Sequence, residues 1–148
     1  MSEAPPRIEV PRIEITGADD PAIRAALVEG IRAYNESQVG DPEIGPLSVV
    51  LRDPESGAVL GGLTGKTNKK WLFIELFHLP ESLRQHRLGA KLLALAEDEA
   101  RRRGCIGVWL DTYSFQAPGF YEKQGYRVFG SIPDHPPGHQ RFFYLKRL

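Results

Sequence analysis

Two nearly unbroken apolar runs, WLFIELFHL at 71–79 and CIGVWLDTY at 105–113, flank a leucine-periodic segment, and this arrangement constrains the fold more than anything else in the chain. A run that is apolar at almost every position fits a strand covered on both faces. Between the runs, Leu88, Leu92, Leu95 or Ala96, and Ala100 recur at helical spacing. A helix is therefore expected from Arg84 to Arg103, with Gly104 as its stop. One carboxylate, Glu75, interrupts the first run, where packing alone gives little reason for a charge.

The rest of the chain supplies shorter elements. Prolines at 5, 6 and 11 make residues 1–6 a flexible arm, and the alternation of RIEVPRIEIT predicts an edge strand ending near Thr16. An aspartate before Pro21 and apolar Ile23, Ala26, Leu27 and Ile31 predict a helix from about Pro21 to Glu36. LSVVLRDPESGAVLGGLTGKT has the form of two strands joined by the turn DPESG. After Tyr113 come a short helix in QAPGFYEKQ with Gly125 as its cap, a strand in YRVFGSI, the loop DHPPGHQ and a final strand in RFFYLKRL. This order of elements predicts an α/β (α+β) chain with a mixed sheet and helices on both faces. At 148 residues, with neither repeat nor linker, residues 1–148 are expected to form a single domain.

Composition narrows the function classes. Basic and acidic residues each number 19, so global charge recommends no nucleic-acid partner. No apolar run approaches the roughly 20 residues of a membrane span, and there is no signal pattern at the start, so the expectation is a soluble, cytoplasmic protein. Cys105 is the only cysteine, which excludes an internal disulfide and a thiolate zinc cluster. The stretch LPESLRQHRLGAKLL, where the first run turns into the helix, is the candidate binding element. The first helical N–H groups there lack intrahelical partners and carry partial positive charge, which suits phosphate. Arg84, Arg87 and Lys91 would add to that charge, or be solvated at an ordinary corner; this stretch alone leaves the two readings open.

RQHRLGAKLL, taken with SFQAPGFYEKQGY, resembles the GNAT superfamily of acetyl-coenzyme A-dependent N-acetyltransferases. The resemblance implies a mostly antiparallel central sheet with one splayed strand pair, acetyl-CoA as acetyl donor, and no metal. By the same resemblance, Arg84, Gln85, His86, Arg87, Leu88, Gly89 and Ala90 would take the pyrophosphate. Phe77 and Leu79 would offer main-chain contacts to the pantetheine arm, with the Phe77 amide as oxyanion donor, and Ser114 would bond a pantetheine amide. Two departures stand out: Gln85 and Arg87 occupy positions where the family usually has glycine, and Ser114 replaces an asparagine.

The catalytic expectations follow. Tyr121 stands where the family places the tyrosine that protonates the leaving thiolate. Glu75 would be the base that deprotonates the amine, an anchor for its ammonium, or a salt-bridged structural residue. Asp111 would bind a substrate cation or cap the turn before Ser114, and His139, with His135, flanks a loop over the acceptor site. The implied acceptor is a small primary amine, with a protein amine second, and dimers are common in the superfamily. The rivals are a non-catalytic acyl-CoA-binding or regulatory module of the same fold and a fold-sharing nucleotide binder.

Overall fold

The computed structural model describes residues 3–5, 9–41 and 43–148, in two compact units, Met1–Gly40 and Asp41–Leu148. Much of the expected arm, residues 1, 2 and 6, lies outside the described residues, as do Arg7 and Ile8 of the expected edge strand. Residues 9–16 form no strand. Alternation alone did not suffice there, and Pro11 removes one of the N–H donors a ladder needs. The helix of this unit, α1, spans Pro21–Val39. Asp20 caps it by accepting from the Ala22 amide at 2.9 Å, and Gly40 ends it at φ 76°. It runs three residues past the expected end because nothing before Gly40 breaks it.

The second unit holds a six-stranded sheet in the order β1-β2-β3-β4-β6-β5, with β1 Gly45–Arg52, β2 Val59–Asn68, β3 Trp71–His78, β4 Gly107–Tyr113, β5 Arg127–Pro133 and β6 Gln140–Arg147. Every neighbouring pair is antiparallel except β3 and β4, which run parallel. The DPESG turn forms as expected, with Asp53 Oδ1 accepting from the amides of Glu55 and Ser56. Between β2 and β3 only Lys69 and Lys70 intervene, both at positive φ, as a tight hairpin requires.

The long helix differs from expectation in a way that matters for the site. A 3-10 turn covers Glu81–His86, Arg87 adopts a left-handed conformation (φ 53°, ψ 25°), and only then does α2 run from Leu88 to Arg102. The leucine periodicity continues through this break and so conceals it. On α2, Leu92, Leu93, Ala96 and Ala100 are buried, whereas Leu95 is exposed. With Leu72, Ile74, Val108 and Leu110 of the two central strands they form the core, each buried leucine contributing about 2 kcal/mol. Cys105 belongs to this cluster, and burial raises its thiol pKa. A third helix, α3, spans Pro118–Lys123 and sets Phe120 and Tyr121 against the core.

A β-bulge shapes the middle of the sheet. Ile74 faces Gly65 and Leu76 faces Thr64, which leaves Glu75 as an extra residue in β3. The bulge shifts the alternation by one, so Phe77 as well as Leu72 and Ile74 packs on the core. Gly65 makes it possible, since a Cβ there would collide with the Phe73 carbonyl oxygen.

Candidate active site

Beyond the bulge, β3 and β4 part. They pair only from Trp71–Gly107 to Ile74–Leu110. Past that point β3 is bonded to β2 alone and β4 to β6 alone. The backbone groups of Glu75–His78 that face β4, and those of Asp111–Tyr113 that face β3, therefore have no strand partner. An open seam of this kind is where an extended ligand can add its own hydrogen bonds.

The turn before α2 closes one end of the seam. Arg84 Nε donates to the Leu79 carbonyl at 3.0 Å, so this arginine fastens the 3-10 turn to the end of β3. The Lys91 amide bonds to the Arg87 carbonyl, and the amides of Leu88, Gly89 and Ala90 precede that bond as the first donors of the helix. Gly89 is buried, and a Cβ on it would meet the Phe120 ring at 3.3 Å, so the glycine lets α3 close against the start of α2. Gln85, His86 and Arg87 are exposed around these amides. Arg87 holds the left-handed geometry that glycine adopts without cost, which keeps the turn tight despite its side chain.

Tyr121 lies on the other side of the seam. Its ring makes edge contacts with Phe77 at 6.3 Å and Phe120 at 5.2 Å between centroids, and its hydroxyl bonds to no other group among the described residues. Burial, and secondarily the charge of Asp111, pushes its pKa up to about 12. It therefore stays a proton donor throughout the neutral and alkaline range.

The other expected residues are placed less simply. Glu75, expected inside an apolar strand, is exposed, because the bulge takes it out of the alternation. Asp111 is already paired: Arg141 holds its Oδ1 at 2.7 Å. Its Oδ1 thus serves Arg141, and it does not cap the following turn. That turn is held by Gln116, a residue the sequence reading missed, whose Oε1 accepts from the Tyr113 amide and the Thr112 hydroxyl. Ser114 sits on the β6 side of β4, its Oγ accepting from the Gln140 amide at 3.0 Å and its own amide donating to the Gln140 carbonyl at 2.8 Å. His139 borders a cavity of about 300 Å³ with Ser114, Asp134 and Gln140. The arginines at 101–103 pair with Asp98 and Glu99 along their own helix. Among the described residues, no group of three His, Cys, Asp or Glu side chains could hold a metal ion, and no helix is long and apolar enough to cross a membrane.

Residues 19–126 match the model of the acetyltransferase (GNAT) family. An acetyltransferase of Agrobacterium fabrum is 39% identical over 127 residues, spanning 86% of this chain and 89% of that one. A blasticidin-S acetyltransferase of Streptomyces morookaense is 44% identical over 95 residues, or 64% and 70% of the two chains. The crystal structure of an acetyltransferase from Bacillus cereus superposes with a TM-score of 0.79 at 34% identity, covering 91% of this chain and 98% of that one. The chain belongs to the acetyltransferase (GNAT) family and is an N-acetyltransferase of that type.

Proposed function

We propose that this enzyme moves the acetyl group of acetyl-CoA directly onto a small primary amine, without a covalent enzyme intermediate. The observation that carries this reading is the contact of Tyr121 with Phe77: it sets a protonated phenol beside the stretch of β3 that has let go of β4. The residues present fit the donor. Unpaired amides at Leu88, Gly89 and Ala90, with Gln85, His86 and Arg87 around them, would hold the diphosphate. The seam-facing backbone of Phe77 and the amide of Leu79, whose carbonyl already serves Arg84, would line the pantetheine arm. When bound, acetyl-CoA supplies an acyl group activated as a thioester.

The chain's own groups meet the remaining demands. The Phe77 amide is the candidate donor to the developing oxyanion, and Tyr121 the proton donor to the departing sulfur. Glu75, solvated at the open end of β3, accepts the amine's proton through water or steadies the ammonium before it is lost. Ser114 accepts from the Gln140 amide and keeps its O–H to donate to a pantetheine carbonyl. The similarity to a blasticidin-S acetyltransferase supports a small-molecule acceptor over a protein one.

Measuring coenzyme A release across a panel of small amines and peptide N-termini tests the reading. Turnover on small amines supports it; tight acetyl-CoA binding with no turnover on any amine would instead favour a regulatory module. Glu75→Gln is expected to lower kcat/KM about a hundredfold, at the bottom of general-base effects because the carboxylate is solvated. An unchanged pH–rate profile in that variant would remove Glu75 from the mechanism. Arg87→Gly should act in opposite directions on two readouts. Relief of the left-handed strain is worth about 1 kcal/mol, or roughly 2–4 °C in Tm for a chain of this size. Loss of one cation should weaken coenzyme A binding by roughly fivefold. Thermal melts with and without coenzyme A measure both.

A further inference from the structure

We propose that the acceptor carries a planar aromatic or heteroaromatic ring, and that this ring stacks on Phe115 beside the cavity bordered by His139. The inference rests on the acetyl-transfer reading and adds the class of acceptor.

Rings from separate segments converge at the end of the sheet where the seam opens. Tyr113 ends β4, Phe115 follows in the turn, and His135 and His139 come from the loop between β5 and β6. The Tyr113 and Phe115 rings are parallel to within 5° at 5.2 Å between centroids, an offset stack. His135 stacks on Tyr113 at 5.5 Å, and His139 meets Phe115 edge-on at 5.1 Å. The Arg141 guanidinium, held by Asp111, lies 5.6 Å from the Tyr113 centroid. Phe115 is nevertheless 58% exposed and takes no part in the buried core. A large apolar ring is thus fixed in orientation on the surface, where burial does not account for it.

The surroundings are also fixed before any ligand arrives. Ser114 and Gln140 lock the turn to β6 through two hydrogen bonds. The His139 amide donates to the Pro136 carbonyl at 2.9 Å within the facing loop. A platform held in this way spends little conformational entropy on binding. The adjoining cavity, about 300 Å³, is at the lower end of the range for small-molecule sites. Asp134, His139 and Ser114 supply it with a few polar groups, and Phe142 supplies an apolar wall. From Phe142 a chain of ring contacts runs through Tyr144, at 6.4 Å, to Tyr121, at 6.0 Å. Two ring contacts therefore separate this wall of the cavity from the proton donor. A flat π-face bounded by imidazoles and a guanidinium favours a flat partner over an aliphatic one of equal size.

Ligand-observed NMR titrations with benzylamine and cyclohexylmethylamine, which match in chain and charge, test the site without requiring turnover. Benzylamine is expected to bind about three- to tenfold more tightly to the wild type. That preference should vanish in Phe115→Leu, an exposed substitution expected to leave the melting curve in place. Equal affinities, no saturable binding of either amine, or a preference that survives Phe115→Leu would overturn the proposal. Coenzyme A release measured on the same samples separates the two readings. An aryl preference without turnover keeps the ring site and sinks small-amine transfer, whereas turnover with no aryl preference does the reverse.

Discussion

Tyr121→Phe is expected to lower kcat by about 10²- to 10³-fold, within the range for loss of a positioned general acid. The substitution removes one oxygen and leaves the ring contacts with Phe77, Phe120, Tyr126 and Tyr144 in place. The fold should therefore tolerate it, and the Kd for coenzyme A should change little. Because burial holds the phenol pKa at about 12, the wild-type rate should show no falling limb near pH 10, where an ordinary tyrosine ionises. Stability follows the same shift. The folded pKa is raised above the unfolded one, so this contribution is complete below pH 10 and is lost as the pH rises through about 12. A Tyr121→Phe enzyme with wild-type kcat would remove this residue as the acid.

The second large effect concerns stability. Glu97 lies on the buried face of α2, only 5% exposed, where it accepts from the Tyr126 hydroxyl at 3.0 Å and from Lys146 Nζ at 2.9 and 3.1 Å. One carboxylate thus joins the long helix to the start of the β5 segment and to β6. Burial, and then the Glu97 charge, keeps the Tyr126 phenol protonated well above its usual range. Glu97→Leu would leave the Lys146 ammonium half-buried without its counter-charge. Full burial would make this cost about 3–5 kcal/mol. Lys146 keeps 26% of its side chain in water, which reduces the expectation to about 2–3 kcal/mol, or roughly 4–12 °C in Tm. Adding Lys146→Met should recover part of the loss, since it removes the orphaned charge. If single and double variants melt together, the ion pair is not what holds these elements.

Where local pattern decides structure, the sequence was a sufficient guide. The hairpin at DPESG, the strand from Trp71, α3 and the position of Tyr121 all follow from turn residues, periodicity and motif. The bulge at Glu75 did not follow, because it depends on the partner strand: Gly65, on β2, makes the room. The break at Arg87 was hidden by leucines that keep helical spacing on both sides of it. Glu97 could have been noticed as a carboxylate within the apolar stripe, but its partners lie 29 and 49 residues away, beyond the reach of any periodicity. Arg141 was missed for the same reason, standing 30 residues from Asp111. The edge strand expected near Thr16 rested on alternation alone, which names no partner strand.

The short parallel contact between β3 and β4 has a mechanical consequence. Three strands on either side are knitted by long antiparallel ladders, whereas β3 and β4 pair over just four residues, from Trp71–Gly107 to Ile74–Leu110, extended by the Ile106 amide bonding to the Lys70 carbonyl, with α2 laid across β1, β2 and β4. The sheet is built as two stiff plates on a narrow hinge. Fluctuations should concentrate at the free ends of the plates, so amide exchange ought to be fastest around Leu76 and Thr112 and slowest at Leu72 and Val108. On the reading proposed above, no flexible lid is needed to admit a substrate, because the gap in the ladder provides the opening.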